Sequence, residues 1–235
     1  MTQDLDFRTG LKDVLPTVFG YIGVGLAFGI VAHTSGISVW LVLAMSLIVY
    51  GGSVQFVLAS MLAASSPVGA MVASAILIHA RMSLMSMTVA PYLKRESTLQ
   101  NILIGTLLTD ETFALSMNKL NVTGHKLRPA WFHAANLTAY LVWAAATVLG
   151  ALIGTMIPDA KALGLDFAAV AMFIGLLYMQ MITDRSKPFL RHLGVVGFVA
   201  VALFGLMRVV PGTTAILIAT VLGCLFGMGV EKRVQ

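Results

Sequence analysis

Apolar positions in this chain are grouped in long runs that alternate with short polar connections. Between Asp13 and Lys94 the one formally charged residue is Arg81, and between Pro129 and Pro158 there is none. A helix needs about 20 apolar residues to cross the hydrocarbon of a bilayer, and runs of that length recur along the sequence. Because helices satisfy their own backbone hydrogen bonds in lipid, the pattern predicts an all-α fold, a polytopic membrane helical bundle.

Seven or eight helical segments are predicted from these runs, at about 14–32, 39–64, 67–93, 99–120, 129–157, 167–183, 193–207 and 209–230. The fourth either crosses the membrane or turns back within it. Asp110 and Glu111 lie in its middle, and a carboxylate at the bilayer centre costs about 2.5–3.5 kcal/mol. The seventh is short for a straight span, so we interpret it as a half-helix joined to the eighth at Pro211 and Gly212.

The whole chain, residues 1–235, is interpreted as one integral membrane domain whose halves, 14–120 and 129–230, form a candidate internal repeat. A shift of 125 residues superimposes three residues of the first half on three of the second: Gly25, Gly29 and Gln55 on Gly150, Gly154 and Gln180. Many secondary transporters contain such repeats, and these halves are parallel if the fourth segment crosses and inverted if it does not. Two unrelated small-residue packing motifs explain the same glycines equally well.

Composition excludes a soluble globular domain. Of the 235 residues, 58% are hydrophobic and 11% are charged, and the mean hydropathy is +0.91. The net charge of +5 comes from short Lys and Arg clusters between apolar runs, which indicates membrane topology rather than nucleic-acid binding. Cys224 is the single cysteine, so an intrachain disulfide is excluded, and we expect neither a metal nor a cofactor.

The Lys and Arg counts indicate which parts of the chain face the cytoplasm. Ten of these residues lie on the cytoplasmic side and four on the other if all eight segments cross with the N-terminus inside. The same division results if the fourth segment turns back and the N-terminus is outside. Both arrangements predict a cytoplasmic C-terminus and a cytoplasmic loop at 184–191.

The sharpest local feature is the stretch from Tyr50 to Phe56, which contains Gly51, Gly52, Ser53 and Gln55. Two adjacent glycines loosen an apolar helix, and the amides and carbonyls freed at such a break bind the carboxylate and ammonium of a zwitterion. We therefore predict substrate binding at these four residues. The alternative is that the glycines allow close helix packing while the polar side chains bond a neighbouring helix.

Charged residues inside apolar segments are candidates for proton coupling. Asp110 and Glu111 are the acidic pair of this kind, and Arg81 needs a partner such as one of them or the carbonyls at a helix break. We favour a counter-ion role for Arg81 over an anchor for a substrate carboxylate. His79, two residues before it, is predicted to lie on a different face and to be a helix residue of minor importance.

Two further polar residues are candidate substrate ligands. Asn136 shares a helix face with Trp143, and an interhelical hydrogen bond is its alternative role. Gln180 is the repeat mate of Gln55.

The sequence lacks a phosphate-binding loop, an HExxH motif and a GxSxG motif, so transport without an ATPase of its own remains. Three rival functions stay open: a transporter of another solute working alone, a membrane enzyme using Asp110, Glu111 and His79, and a non-transporting scaffold subunit.

Taken together, these motifs resemble the AzlC family, the large subunits of branched-chain amino acid exporters. The resemblance implies export of valine, leucine and isoleucine, with methionine as a further candidate, driven by an ion gradient. It also implies a small AzlD-type membrane subunit as partner. His79 departs from the family pattern, in which an asparagine is associated with that position. The residues that carry the resemblance run through most of the chain: Pro16, Phe28 to Ile30, Tyr50 to Phe56, Arg81, Pro91, Thr109 to Ala114, Asn136, Trp143, Gly150 and Leu165 to Phe167.

Overall fold

The computed structural model describes residues 5–157, 188–210 and 212–232, with isolated positions between 167 and 181. The described residues are helical and include no strand, which confirms the all-α prediction. The predicted sixth segment, 167–183, lies largely outside the described residues, and Gln180 lies outside them. The helices are α1 Phe7–Thr34, α2 Val39–Ala44, α3 Gly52–Ala63, α4 Val68–Val89, α5 Thr98–Thr106, α6 Asp110–Val122, α7 Pro129–Gly154, α8 Phe189–Leu206 and α9 Gly212–Lys232.

Among the described residues, four helices are long and apolar enough to cross a membrane: α1, α4 with its 3₁₀ extension to Leu93, α7 and α8. The last of these corrects a prediction. The seventh segment is not a short half-helix from Leu193 but an 18-residue helix that begins at Phe189. Pro188 precedes it in an extended conformation, and the charged Arg191 falls in its first turns, near the end of the helix, where a charge is tolerated.

The second predicted segment is interrupted where its paired glycines predicted a break. A π-helical turn, Met45–Val49, follows α2, and Tyr50 then adopts the left-handed conformation with φ 42° and ψ 58°. Gly51 is extended, and α3 begins at Gly52. We call Tyr50 and Gly51 the first break. It divides the segment into two half-helices that meet inside the apolar region.

The fourth predicted segment, which the sequence left open as one that crosses the membrane or turns back within it, is also interrupted. Helix α5 ends at Thr106 and α6 begins at Asp110; we call residues 107–109 the second break. Asp110 and Glu111 therefore lie in the first turn of a half-helix, not in the middle of a continuous one. There the partial positive charge of the helix N-terminus stabilises carboxylates. Thr109 caps this helix in a reciprocal pair with Thr112.

Helices α1 and α7 pack closely through small residues. A Cβ added at Gly25 would lie 2.8 Å from the Cβ of Ala146, and one added at Gly29 would overlap the backbone of α7 around Gly150. Near the start of α1, Gly10 lies against the carbonyl of Trp131. Contacts thus advance in the same direction along both helices, so α1 and α7 run parallel. A parallel course of these two helices agrees with a fourth segment that crosses the membrane, while the internal repeat itself stays a prediction.

Contacts divide the chain into two compact units, Met1–Phe173 and Ile174–Gln235. The first contains α1 to α7 and all the interactions of the site described below. In the second, α8 and α9 pack on each other, with the rings of Phe198 and Phe226 stacked at 4.2 Å between centroids.

Candidate functional site

Arg81 of α4 joins the two breaks. Its Nη2 donates to Ser53 Oγ at 2.9 Å, in the first turn of α3, and lies 2.6 Å from Asp110 Oδ2, in the first turn of α6. The two side chains are 34% and 15% exposed, so water screens this ion pair only partly. The arginine therefore has the counter-ion predicted from the sequence, and it holds the first turns of the two half-helices close together.

Glu111 is held from the opposite side by α1. Tyr21 donates its hydroxyl to Glu111 Oε2 at 2.7 Å, and the same hydroxyl lies 2.7 Å from Thr109 Oγ1. Because the proton of Tyr21 is directed to the carboxylate, Thr109 is the donor in the second contact. Tyr21 is buried and packs edge-on against Trp143 with ring centroids 5.4 Å apart. Neighbouring Asp110 and Glu111 thus have different partners, one a cation and the other a phenol.

Gln55 lies in a fully directed hydrogen-bond chain. Trp143 Nε1 donates to Gln55 Oε1 at 2.7 Å, which fixes the orientation of the amide because indole can only donate. Gln55 Nε2 donates to Ser46 Oγ at 2.9 Å, and Ser46 Oγ lies 2.7 Å from Thr147 Oγ1. Thr147 in turn donates to the carbonyl of Ala144. Buried among these partners, Gln55 ties both sides of the first break to α7.

The first break is bounded by His79 and Tyr50. A Cβ added at Gly51 would lie 2.5 Å from His79 Nε2, so the absence of a side chain there makes room for the imidazole. The sequence predicted that His79 lies on a different helix face from Arg81 and has minor importance. In the structure His79 lies against Gly51, while Arg81 contacts Ser53 in the first turn of α3. Within the described residues, the buried hydroxyl of Tyr50 and the Nε of Arg81 have no hydrogen-bond partner.

Asn136 secures the second break. Its Nδ2 donates to the carbonyl of Ile104 at 3.0 Å, near the end of α5, and its side chain is fully buried. This is the interhelical bond that the sequence offered as the alternative to ligand binding. The Oδ1 of the same amide has no hydrogen-bond partner among the described residues, so it remains available to accept.

The structure brings together most of the residues predicted for the site. Gly51, Gly52, Ser53, Gln55, Asp110, Glu111 and Arg81 lie around the two breaks, and Asn136 lies beside the second. The sequence analysis missed Tyr21, Ser46, Thr109 and Thr147, because single hydroxyls on apolar helices are common and carry no local signal. Chemically, the site has two kinds of group. The guanidinium of Arg81 lies beside the N-terminus of α3, which none of the described side chains caps, and two carboxylates lie at the N-terminus of α6. The site therefore has both anion-binding and cation-binding groups.

The family model described as "AzlC protein" matches residues 16–157, which contain both breaks. The inner membrane protein YgaZ of Escherichia coli is 30% identical over 225 residues, covering 93% of this chain and 88% of that protein. An uncharacterized membrane protein of Helicobacter pylori is 29% identical, covering 85% of this chain and 88% of that one. A Bacillus subtilis protein named "Branched-chain amino acid transport protein AzlC" is 26% identical, covering 90% of this chain and 82% of its own length. No solved structure matches.

Proposed function

Since the chain belongs to the AzlC family, we propose that it is a secondary transporter that exports branched-chain amino acids across the bacterial inner membrane. Valine, leucine and isoleucine would be the substrates, with methionine as a further candidate, and export would be coupled to protons. The name of the Bacillus subtilis relative supports the substrate class. A transport role without enzymatic chemistry accords with that name.

The observation that carries the proposal is the convergence of two half-helix N-termini on Arg81. One of them, α3, begins with no side-chain cap among the described residues, so its first amides are available for a carboxylate together with the guanidinium. The other, α6, begins with Asp110 and Glu111, which suit an ammonium group. The two poles fit the backbone of an amino acid zwitterion.

The proposed cycle is alternating access around the first break. Gly51, Gly52 and Ser53 would bind the substrate carboxylate, while Gln55 and Asn136 would shape the site between α3, α5 and α7. Gln180, as the repeat mate of Gln55, is retained as a further proposed ligand, although it lies outside the described residues. Protonation of Asp110 or Glu111 would weaken the pull on Arg81 and set the return step.

The parallel course of α1 and α7 supports an arrangement in which the broken fourth segment crosses the membrane. With the cytoplasmic C-terminus proposed from the Lys and Arg counts, the N-terminus is then cytoplasmic as well. Both α3 and α6 would run from the breaks towards the cytoplasm. A small AzlD-type membrane subunit is proposed as the partner of the chain.

The test is counterflow of radiolabelled isoleucine in proteoliposomes, with the chain alone and with the small subunit co-expressed. We expect exchange that requires the partner, and net uptake that responds to an imposed pH gradient. Asp110→Asn and Glu111→Gln are expected to lower the net flux by about tenfold or more. Glu96→Gln is the matched control, because Glu96 lies in the connection before α5, away from both breaks.

Two results would count against the proposal. Absence of isoleucine, valine, leucine and methionine exchange in correctly inserted protein would refute the substrate class. Parent-like fluxes in both carboxylate variants would refute the proton-coupling role while leaving transport itself in place.

A further inference from the structure

The buried side of α6 is unusually polar for a helix in an apolar bundle. Its inward residues recur at helical spacing and include four hydroxyls and one ammonium. Single hydroxyls are common between membrane helices, but a buried ammonium in line with four of them is not. The inward residues form one continuous line from the second break to the far end of the helix: Thr109, Thr112, Ser116, Lys119 and Thr123, all of them buried.

The far end of this line is a buried ion pair. Lys119 is 5% exposed, and its Nζ lies 2.7 Å from Asp13 Oδ2. The same carboxylate oxygen accepts from Trp131 Nε1 at 2.8 Å. Asp13 is 28% exposed, so the pair connects the polar side of α6 with water at the Phe7 end of α1. The transport cycle proposed above does not use this pair.

The near end is a hydrogen-bond chain that points to Glu111. The hydroxyls of Thr112 and Thr109 lie 3.3 Å apart, that of Thr109 lies 2.7 Å from Tyr21, and Tyr21 donates to Glu111 Oε2 at 2.7 Å. Each hydroxyl can pass its proton forward and receive one from behind. The reverse sequence carries a proton away from Glu111, and in either direction every hydroxyl is restored.

We propose that the buried polar face of α6, from Asp13 and Lys119 through Ser116 to Tyr21, is the path by which protons pass between Glu111 and water at the Phe7 end of α1. The path rests on the proposed function, to which it adds the route and side of proton release. In the topology proposed above this is the cytoplasmic side, to which a proton-driven exporter delivers the protons that it takes up on the other side of the membrane. Thr112, Ser116 and Lys119 follow one another at a spacing of one helical turn, about 5–6 Å between Cβ atoms, a gap that one water molecule would be needed to bridge.

The groups around Glu111 explain why this carboxylate, rather than Asp110, exchanges the proton. Tyr21 faces it from α1, Tyr50 lies within electrostatic range at the first break, and Asp110 adjoins it with Arg81 as its counter-ion. Glu111 has a phenol rather than a cation as its hydrogen-bond partner. It can therefore accept a proton without leaving the partly buried Arg81 unpaired, which protonation of Asp110 would do.

The test separates proton movement from substrate exchange. Tyr21→Phe and Ser116→Ala are made in the full chain, co-expressed with its small subunit and reconstituted in proteoliposomes. Tyr92→Phe is the control for the first, because Tyr92 lies in the 3₁₀ turn that follows α4 and is 40% exposed. Ser60→Ala is the control for the second, because Ser60, like Ser116, donates to a carbonyl of its own helix.

We expect Ser116→Ala to retain isoleucine counterflow within about twofold, and both path variants to lose pH-driven net uptake by about tenfold or more. Tyr21→Phe, which also removes the bond to Glu111, should lose less counterflow than net uptake. Proton movement across the vesicle membrane, followed with a trapped pH dye, should fall in parallel, while both controls match the parent. Equal loss of counterflow and net uptake would assign these side chains a structural role and overturn the path. A parent that exchanges isoleucine without moving protons would overturn the path but not the transport function. A parent that does not exchange isoleucine would overturn the proposed function first.

Discussion

The close packing of α1 on α7 makes a sharp prediction for Gly29. In Gly29→Ala the new Cβ would overlap the Thr147 carbonyl and lie 2.5 Å from the amide nitrogen of Ala151. These are backbone atoms that cannot rotate away, so the helices must separate along their contact. Such overpacking costs about 1–3 kcal/mol, against a gain of about 0.5–1 kcal/mol from replacing glycine inside a helix.

The matched control is Gly20→Ala on the same helix. A Cβ at Gly20 would meet nothing within 4 Å, so only the helix-propensity gain remains and the variant should be slightly stabilised. The two variants should therefore differ by about 2 kcal/mol, which corresponds to about 4–8 °C in Tm for a chain of this length. The assay is thermal unfolding of detergent-solubilised protein, read as the monodisperse fraction by size-exclusion fluorescence. If Gly29→Ala is as stable as Gly20→Ala, the assigned α1–α7 contact is wrong.

Three further predictions concern the breaks. Gly51→Ala should lower isoleucine counterflow because its Cβ meets His79, and adding His79→Ala should restore part of it; additive losses in this double-mutant cycle would contradict a direct contact. Trp143→Phe leaves Gln55 Oε1 without its donor and should lower the free energy of unfolding by about 1–3 kcal/mol. An unchanged Tm would show that this bond contributes nothing to stability. Arg81→Lys should keep more counterflow than Arg81→Gln. Both contacts of the arginine are made by its Nη2, so a single ammonium nitrogen can replace them, whereas an uncharged amide cannot pair with Asp110. Equal loss in the two variants would show that a positive charge alone is insufficient.

The positions of the candidate site were predictable only in part. The first break was found because two adjacent glycines are a local signal, readable without knowledge of the partners. The second break was not found, because Leu107, Leu108 and Thr109 contain neither glycine nor proline. What ends α5 there is the cap that Thr109 provides for α6 and the Asn136 bond to α5.

The bundle and its membrane setting follow from the sequence by itself, since hydropathy is a sum over neighbouring residues and every run long enough to cross lipid must become a helix. The pairing of Tyr21 with Glu111 and of Arg81 with Ser53 follows only from the tertiary structure. These partners are 90 and 28 residues apart, and their contact depends on how helices rotate and slide against one another. The rotation and offset of the helices are governed by the close approach of α1 to α7 at Gly25, Gly29 and Gly150. This approach is a property of two surfaces in contact rather than of any local stretch of sequence.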